Sequence, residues 1–90
     1  MTYLIAQNKI DVENANKQIS INMGFGDPDL DSTTTAWDQP RQINAPSGEG
    51  MNVISAHPVY LIDASKVGWW AIQKPETRFM TGVSLTEINA

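Results

Sequence analysis

The residues with the clearest potential for chemistry are four aspartates in the first half of the chain. Three of them occupy alternate positions and the fourth follows seven residues later. Calcium takes about six to eight oxygen ligands, and carboxylates at alternate positions of a curling loop can point at one ion. The spacing therefore raises the hypothesis of a calcium site formed by Asp27, Asp29, Asp31 and Asp38.

Counted from Asp27, the acids fall at positions 1, 3, 5 and 12, a spacing that resembles the calcium loop of the EF-hand family. The chain departs from that pattern inside the loop. Position 2 is Pro28, position 6 is Ser32 where the family has glycine, and position 12 is Asp38 where the family has glutamate. The resemblance covers these residues alone and does not identify the family. The competing interpretation is a solvated acidic turn whose aspartates accept hydrogen bonds from nearby backbone amides.

Aromatic side chains form a second set of candidates, because they anchor protein interfaces and stack on sugar rings. This set consists of Trp37, Tyr60, Trp69 and Trp70. Adjacent residues of a strand face opposite sides, so Trp69 and Trp70 are not expected to enter the same core. A second copy, another protein or a carbohydrate would then cover the outward one. The competing interpretation is a two-layer structure in which the chain covers both faces of this strand itself.

Catalytic chemistry has little support in the sequence. His57 is the only histidine, the chain has no cysteine, and no Gly-x-Ser-x-Gly motif occurs. No spacing relates His57 to a serine such as Ser55 or to an acid such as Asp63. We therefore expect a protein that is not an enzyme and has no catalytic residues.

The composition argues against two classes of binding partner, nucleic acids and membranes. Six Lys and Arg against ten Asp and Glu give a net charge of −4, which argues against nonspecific binding to nucleic acid. No run approaches the roughly 18 apolar residues of a membrane span, and no signal peptide is visible in Met1–Gln7. We expect a soluble, cytoplasmic protein with no nucleic-acid or membrane partner, and with calcium as the one cofactor to consider.

Two alternating patterns occupy the first part of the chain. Even positions from Leu4 to Val12 and odd positions from Ile19 to Phe25 are largely apolar, which is the period of a strand. Residues 13–16 contain two asparagines, which favour a turn, so the pattern predicts a hairpin. A short helix from Asp11, with an apolar stripe through Val12, Ala15 and Ile19, is the alternative.

The most apolar and aromatic stretch is Val53–Ile72, which we expect to form the core. Residues 45–50, Ala-Pro-Ser-Gly-Glu-Gly, have the composition of a flexible surface loop. Four short strands separated by tight turns indicate an antiparallel meander. They are predicted at 51–56, 59–63, 67–74 and 78–88.

The 90 residues suffice for a single domain, 1–90, with its own core. We predict a mainly β fold, a small antiparallel sandwich or open barrel, with an α+β fold containing one short N-terminal helix as the alternative. The expected function is a self-associating, non-enzymatic interaction or assembly module, such as a small accessory protein of a virus or mobile element. The alternative is a β domain that binds a small molecule or carbohydrate between Trp37, Tyr60 and the outward Trp, beside a calcium site in loop 27–38.

Overall fold

The computed structural model describes residues 2–28, 30, 36–44, 59–60 and 64–89. These residues contain one α-helix and an antiparallel sheet, in agreement with the α+β alternative and with a mainly β fold. Short 3-10 helices cover Ala64–Lys66 and Thr77–Phe79. The longer elements in chain order are β1 (Thr2–Ala6), α1 (Lys9–Asn22), β2 (Arg41–Asn44), β3 (Val59–Tyr60), β4 (Trp70–Gln73) and β5 (Thr86–Asn89).

The strands lie in the order β3-β2-β4-β1-β5. The neighbouring pairs β2–β4, β4–β1 and β1–β5 are antiparallel, whereas β3 runs parallel to β2. The predicted meander is wrong, because β1 lies between β4 and β5, and β2 lies between β3 and β4. Leu4 and Ile5 face opposite sides of the sheet and are 0% and 1% exposed, so β1 carries apolar side chains on both faces. Burial of both faces suits a strand that lies between two others, as β1 does.

Residues 9–22 form α1, so the predicted hairpin is wrong and the alternative helix is confirmed. The buried stripe runs through Val12, Ala15 and Ile19, as the helical period requires. Ile10 and Ile21, which the alternating pattern would have buried, are 57% and 40% exposed. In the part of the chain that is described, no helix has both the length and the apolar character needed to cross a membrane.

Asparagines lower the intrinsic stability of α1, but two of them are held by tertiary hydrogen bonds. Asn16 is 6% exposed and bonds to the backbone of Asp38. Asn22 donates from Nδ2 to the carbonyl oxygens of Phe79 and Thr81, each at 2.8 Å. These contacts offset the low propensity, and they link α1 to segments distant in sequence.

A Schellman motif ends α1. The Phe25 N–H donates to the Ser20 carbonyl at 3.0 Å and the Gly24 N–H to the Ile21 carbonyl at 2.9 Å. Gly24 has a φ of 86°, a left-handed conformation that glycine adopts without steric cost. Glycine at this position therefore lets the chain leave the helix directly after Met23.

The two faces of the sheet have separate cores. On one face, Leu4, Ala6 and Ile72 pack against the apolar stripe of α1. On the other face, Ile5, Ile43 and Ala71 form a cluster with partly buried aromatic and aliphatic neighbours, among them Trp69. In the described residues, the layer packed on the first face is a helix and not the second sheet of a sandwich.

Several sequence predictions lie outside the described residues, namely the loop 45–50, the strand 51–56 and residues 61–63 of the strand predicted at 59–63. The strand predicted at 67–74 is shorter, because Gly68 has a φ of 89° in a turn and β4 begins at Trp70. The strand predicted at 78–88 is reduced to β5 by the 3-10 helix and by a turn at Gly82. The turn predicted at 64–66 is present as a 3-10 helix.

The strand β2 was not predicted from the sequence. Its composition, Arg-Gln-Ile-Asn, has one apolar residue. Arg41 is nevertheless 5% exposed, because its guanidinium is paired with the Asp38 carboxylate. This ion pair allows a polar segment to occupy an inner position of the sheet.

Candidate functional site

The carboxylate of Asp38, a predicted calcium ligand, is surrounded by hydrogen-bond donors of the protein. Its Oδ2 accepts from Arg41 Nη2 and from the Gln73 N–H, both at 2.8 Å. Its Oδ1 accepts from the Gln39 N–H at 2.8 Å. Asp38 thus joins the segment before β2 to the end of β4. Both of its carboxylate oxygens accept hydrogen bonds that hold these segments together.

Of the remaining predicted calcium ligands, the structure describes Asp27. Asp27 lies 3.7 Å from the ammonium of Lys17, whereas Asp29 and Asp31 lie outside the described residues. Within residues 2–28, 30, 36–44, 59–60 and 64–89, no three acids or histidines come together as a metal site would require. The structure therefore does not bring Asp27 and Asp38 together in such a group.

Trp37 and Trp70 both pack against the core beneath α1. The Trp37 indole Nε1 donates to the Gln73 carbonyl at 2.8 Å, and its backbone N–H donates to Ser20 Oγ at 2.9 Å. The ring of Trp70 lies under the Lys9 ammonium at 4.9 Å. These half-buried tryptophans hold α1 and the segment 36–38 on the sheet.

Trp69 lies on the opposite face, where it packs against Ile5, Ile43 and Ala71. The Lys66 ammonium stands 4.2 Å from its ring. The prediction that neighbouring tryptophans face opposite sides is therefore confirmed, and Trp69 is partly buried within its own chain. The backbone of Tyr60 pairs with Asn44 in the sheet. Because Trp37 and Trp69 lie on different faces, they do not line one groove.

Exposed apolar side chains of the described residues are dispersed. Ile21 and Phe25 lie at the end of α1, Ile10 lies at its start, and Val67 lies in the turn before β4. Leu30, at 86%, is the most exposed of them. Single apolar residues of this kind are normal on soluble surfaces and do not define an interface.

The outer strand β5 presents a different kind of surface. It pairs with β1 on one side, and among the described residues no strand pairs with it on the other. Thr86, Glu87 and Asn89 are exposed, whereas Ile88 is partly buried against the cluster around Ile5. An open strand of this type offers backbone N–H and C=O groups to a further strand. We call this surface the β5 edge.

A groove of about 520 Å³ lies beside β5, between α1 and the segment that leads into the strand. We call it the α1 groove. Carboxylate, amide and hydroxyl groups line it together with aliphatic side chains. The lining residues are Asp11, Asn14, Ala15, Gln18, Gly82, Val83, Ser84 and Leu85.

The residues of neither surface were predicted from the sequence. The groove residues of α1 share a helical spacing, which would have grouped them if the helix had been chosen over the hairpin. The segment Thr86–Asn89 was predicted only in part, as the end of a longer strand at 78–88. Its position at an edge depends on β1, which is adjacent in space but far away in sequence.

Comparison of this chain with family models, with curated proteins and with solved structures finds no match. A function must therefore be inferred from the chemistry of the described residues.

Proposed function

We propose that this chain is a non-enzymatic interaction module that self-associates through the β5 edge. The observation that carries the proposal is that β5 ends the sheet with its outer side exposed. Edge strands pair readily with strands of other chains, and this pairing is a recurrent mode of protein recognition.

The β5 edge lacks several of the features that usually prevent such pairing. Edges are protected by short strand length, by charged side chains, above all lysine, by prolines and by bulges. At four residues, β5 is a short strand. β5 contains neither lysine nor proline, and its one charged side chain, Glu87, forms an ion pair with Lys74 at 2.8 Å. This pairing lowers the electrostatic cost of bringing another strand alongside.

The contacts of three described acids support a structural role for them, which favours a non-enzymatic function. Asp38 is paired with the buried Arg41, and Glu76 with Arg78. Asp27 lies within ion-pair distance of Lys17. Carboxylates held in this way stabilise local structure, whereas a general base needs access to a substrate proton.

Sedimentation velocity over a wide dilution series tests the proposal. We expect a concentration-dependent dimer in the unmodified protein. Glu87→Pro removes one N–H from the edge and should shift the protein to monomer, because proline cannot donate to an added strand. Glu87→Ala is the matched control, since it also loses the Lys74 ion pair but keeps the N–H, and it should still dimerise. A wild-type protein that stays monomeric at every concentration contradicts the proposal.

A second candidate function, binding of a small hydroxyl-rich ligand such as a carbohydrate, is favoured by the α1 groove. The side chains of Asn14, Gln18 and Ser84 supply both donors and acceptors there. Ligand sites commonly combine aliphatic walls with a few polar groups of this kind. The groove as described has no aromatic lining residue on which a sugar ring could stack.

Titration with neutral oligosaccharides of glucose and N-acetylglucosamine, followed by amide chemical shifts, tests this second candidate. We expect shifts confined to the groove and reduced by Ser84→Ala, with Thr81→Ala as an exposed control outside the lining. Absence of any shift at millimolar oligosaccharide would remove carbohydrates from consideration. The outcome is independent of the oligomeric state.

A further inference from the structure

Hydrogen bonds elsewhere in the sheet identify which backbone groups of β5 point outward. The Lys74 N–H donates to the Thr2 carbonyl at 3.0 Å, so Thr2 directs its backbone groups toward β4. Successive residues of a strand point their backbone N–H and C=O groups to opposite sides. Those of Tyr3 and Ile5 therefore face β5. They pair with Ile88 and Thr86 respectively.

The N–H and C=O groups of Glu87 and Asn89 consequently point away from β1, toward the open side. The hydrogen bonds between β2 and β4 lead to the same assignment. The Ile43 N–H donates to the Trp69 carbonyl at 2.8 Å, so Trp69 faces β2, and Trp70, the next residue, faces β1. Among the described residues, the β5 edge thus offers two residues whose backbone donors and acceptors pair with no strand, separated by Ile88.

This spacing is complementary to itself. If two copies of β5 run antiparallel about a two-fold axis at Ile88, each Glu87 lies opposite Asn89 of the other copy. Each such pair exchanges two backbone hydrogen bonds, and symmetry doubles the set. The register centred on Glu87 instead places two carboxylates directly opposite each other, which destabilises a strand pair.

Side chains favour the same register. Ile88 packs against the cluster on the face that carries Trp69, and the two Ile88 residues of the pair would meet across the axis in a non-hydrogen-bonded position. Cα atoms in such positions approach to about 4.5 Å, the closest spacing between paired strands. The contact would continue the apolar cluster of each copy across the junction.

We propose that two copies of this chain pair through β5 about a two-fold axis at Ile88, forming one continuous sheet. This inference rests on the proposed self-association and specifies its geometry. Four backbone hydrogen bonds and one isoleucine pair form a small contact, so the dimer dissociates readily on dilution. Its occupant is a second copy, because the register follows from the complementarity of Thr86–Asn89 with itself.

Single cysteines test the register directly, since the chain has no cysteine of its own. Ile88→Cys places two thiols at the axis, within the about 4.4 to 6.8 Å between Cα atoms that a disulfide spans. Thr86→Cys is the matched control on the same face, because its two copies are four residues out of register, roughly 14 Å apart. We expect oxidation to cross-link Ile88→Cys into a dimer and to leave Thr86→Cys monomeric under denaturing electrophoresis.

Hydrogen exchange on the unmodified protein provides a second readout that does not depend on how Ile88→Cys folds. The amides of Glu87 and Asn89 should gain protection as protein concentration rises. Those of Thr86 and Ile88, which are bonded within the chain, should show no such dependence. This pattern supports the inference together with the selective cross-link.

Four outcomes overturn the inference. Efficient cross-linking of Thr86→Cys, or concentration-dependent protection elsewhere without change at Glu87 and Asn89, leaves self-association standing but refutes this register. A dimer in sedimentation that Glu87→Pro does not weaken refutes the use of the β5 edge. A protein that is monomeric at all concentrations refutes both the register and the proposed function.

Discussion

The side-chain amide of Asn16 brackets the backbone of Asp38. Its Nδ2 donates to the Asp38 carbonyl at 2.6 Å, and its Oδ1 accepts from the Asp38 N–H at 2.9 Å. The two residues are 22 positions apart, so this pair of hydrogen bonds attaches the segment before β2 to α1. The Asp38 carboxylate continues the attachment to Arg41 and Gln73.

Removal of this bracket should lower stability. Asn16→Ala leaves the Asp38 N–H and C=O without these partners, which we expect to reduce the free energy of unfolding by about 2 kcal/mol. Asn14→Ala, at an exposed position of the same helix, is the control for the higher helix propensity of alanine. Urea denaturation measures both, and equal effects of the two substitutions would show that the bracket contributes nothing.

Asp38→Asn should be more damaging, because it leaves the buried Arg41 guanidinium without its charged partner. Loss of one member of a buried ion pair costs about 3 kcal/mol or more. If the role of Asp38 is structural, this cost is the same with and without millimolar calcium. Thermal melts of wild type and variant in both conditions check the expectation. A calcium-dependent gain that is present in wild type and absent from Asp38→Asn would instead assign the aspartate to a metal site.

The opposite placement of Trp69 and Trp70 predicts selective energetic coupling. Double-mutant cycles that combine Lys9→Ala or Lys66→Ala with Trp→Leu should give about 0.5 to 1 kcal/mol for Lys9 with Trp70 and for Lys66 with Trp69. The crossed combinations, Lys9 with Trp69 and Lys66 with Trp70, serve as controls and should be additive. Coupling in a crossed pair would contradict the assignment of the two rings to different faces.

The left-handed Gly24 at the end of α1 should resist substitution by residues with a Cβ. No atom lies within 4 Å of a Cβ built there, so the cost comes from backbone conformation alone. We expect Gly24→Ala to destabilise the protein by about 1 kcal/mol. Gly24→Asn should cost less, because asparagine tolerates this conformation. Denaturant unfolding compares the two, and an asparagine variant that is less stable than the alanine variant would oppose this explanation.

Local spacing was sufficient to predict some features of the fold. The opposite directions of Trp69 and Trp70 follow from the period of two in a strand, which requires no knowledge of the partners. The helical stripe of Val12, Ala15 and Ile19 was also present in the sequence. It competes with an alternating pattern in the same residues, and asparagine favours turns.

The bonds that resolved this competition connect distant segments. Asn16 is stable in a helix because it exchanges two hydrogen bonds with the backbone of Asp38. Asn22 is stable there because it donates to the carbonyls of Phe79 and Thr81. The strand β2 exists for a similar reason, since the burial of Arg41 depends on Asp38. Neither propensity nor periodicity contains information about these partners, and so the local pattern favours a hairpin at α1 and no strand at β2.

The candidate site also depends partly on local sequence and partly on contacts between distant segments. The sequence by itself determined the apolar character of β1, the alternation within Thr86–Asn89 and the acidic balance of the chain. Only the tertiary structure decided that β1 separates β4 from β5 and thereby leaves β5 at the edge. The physical reason is that strand order is set by which apolar faces can be buried together, a property of the whole sheet that no single segment encodes.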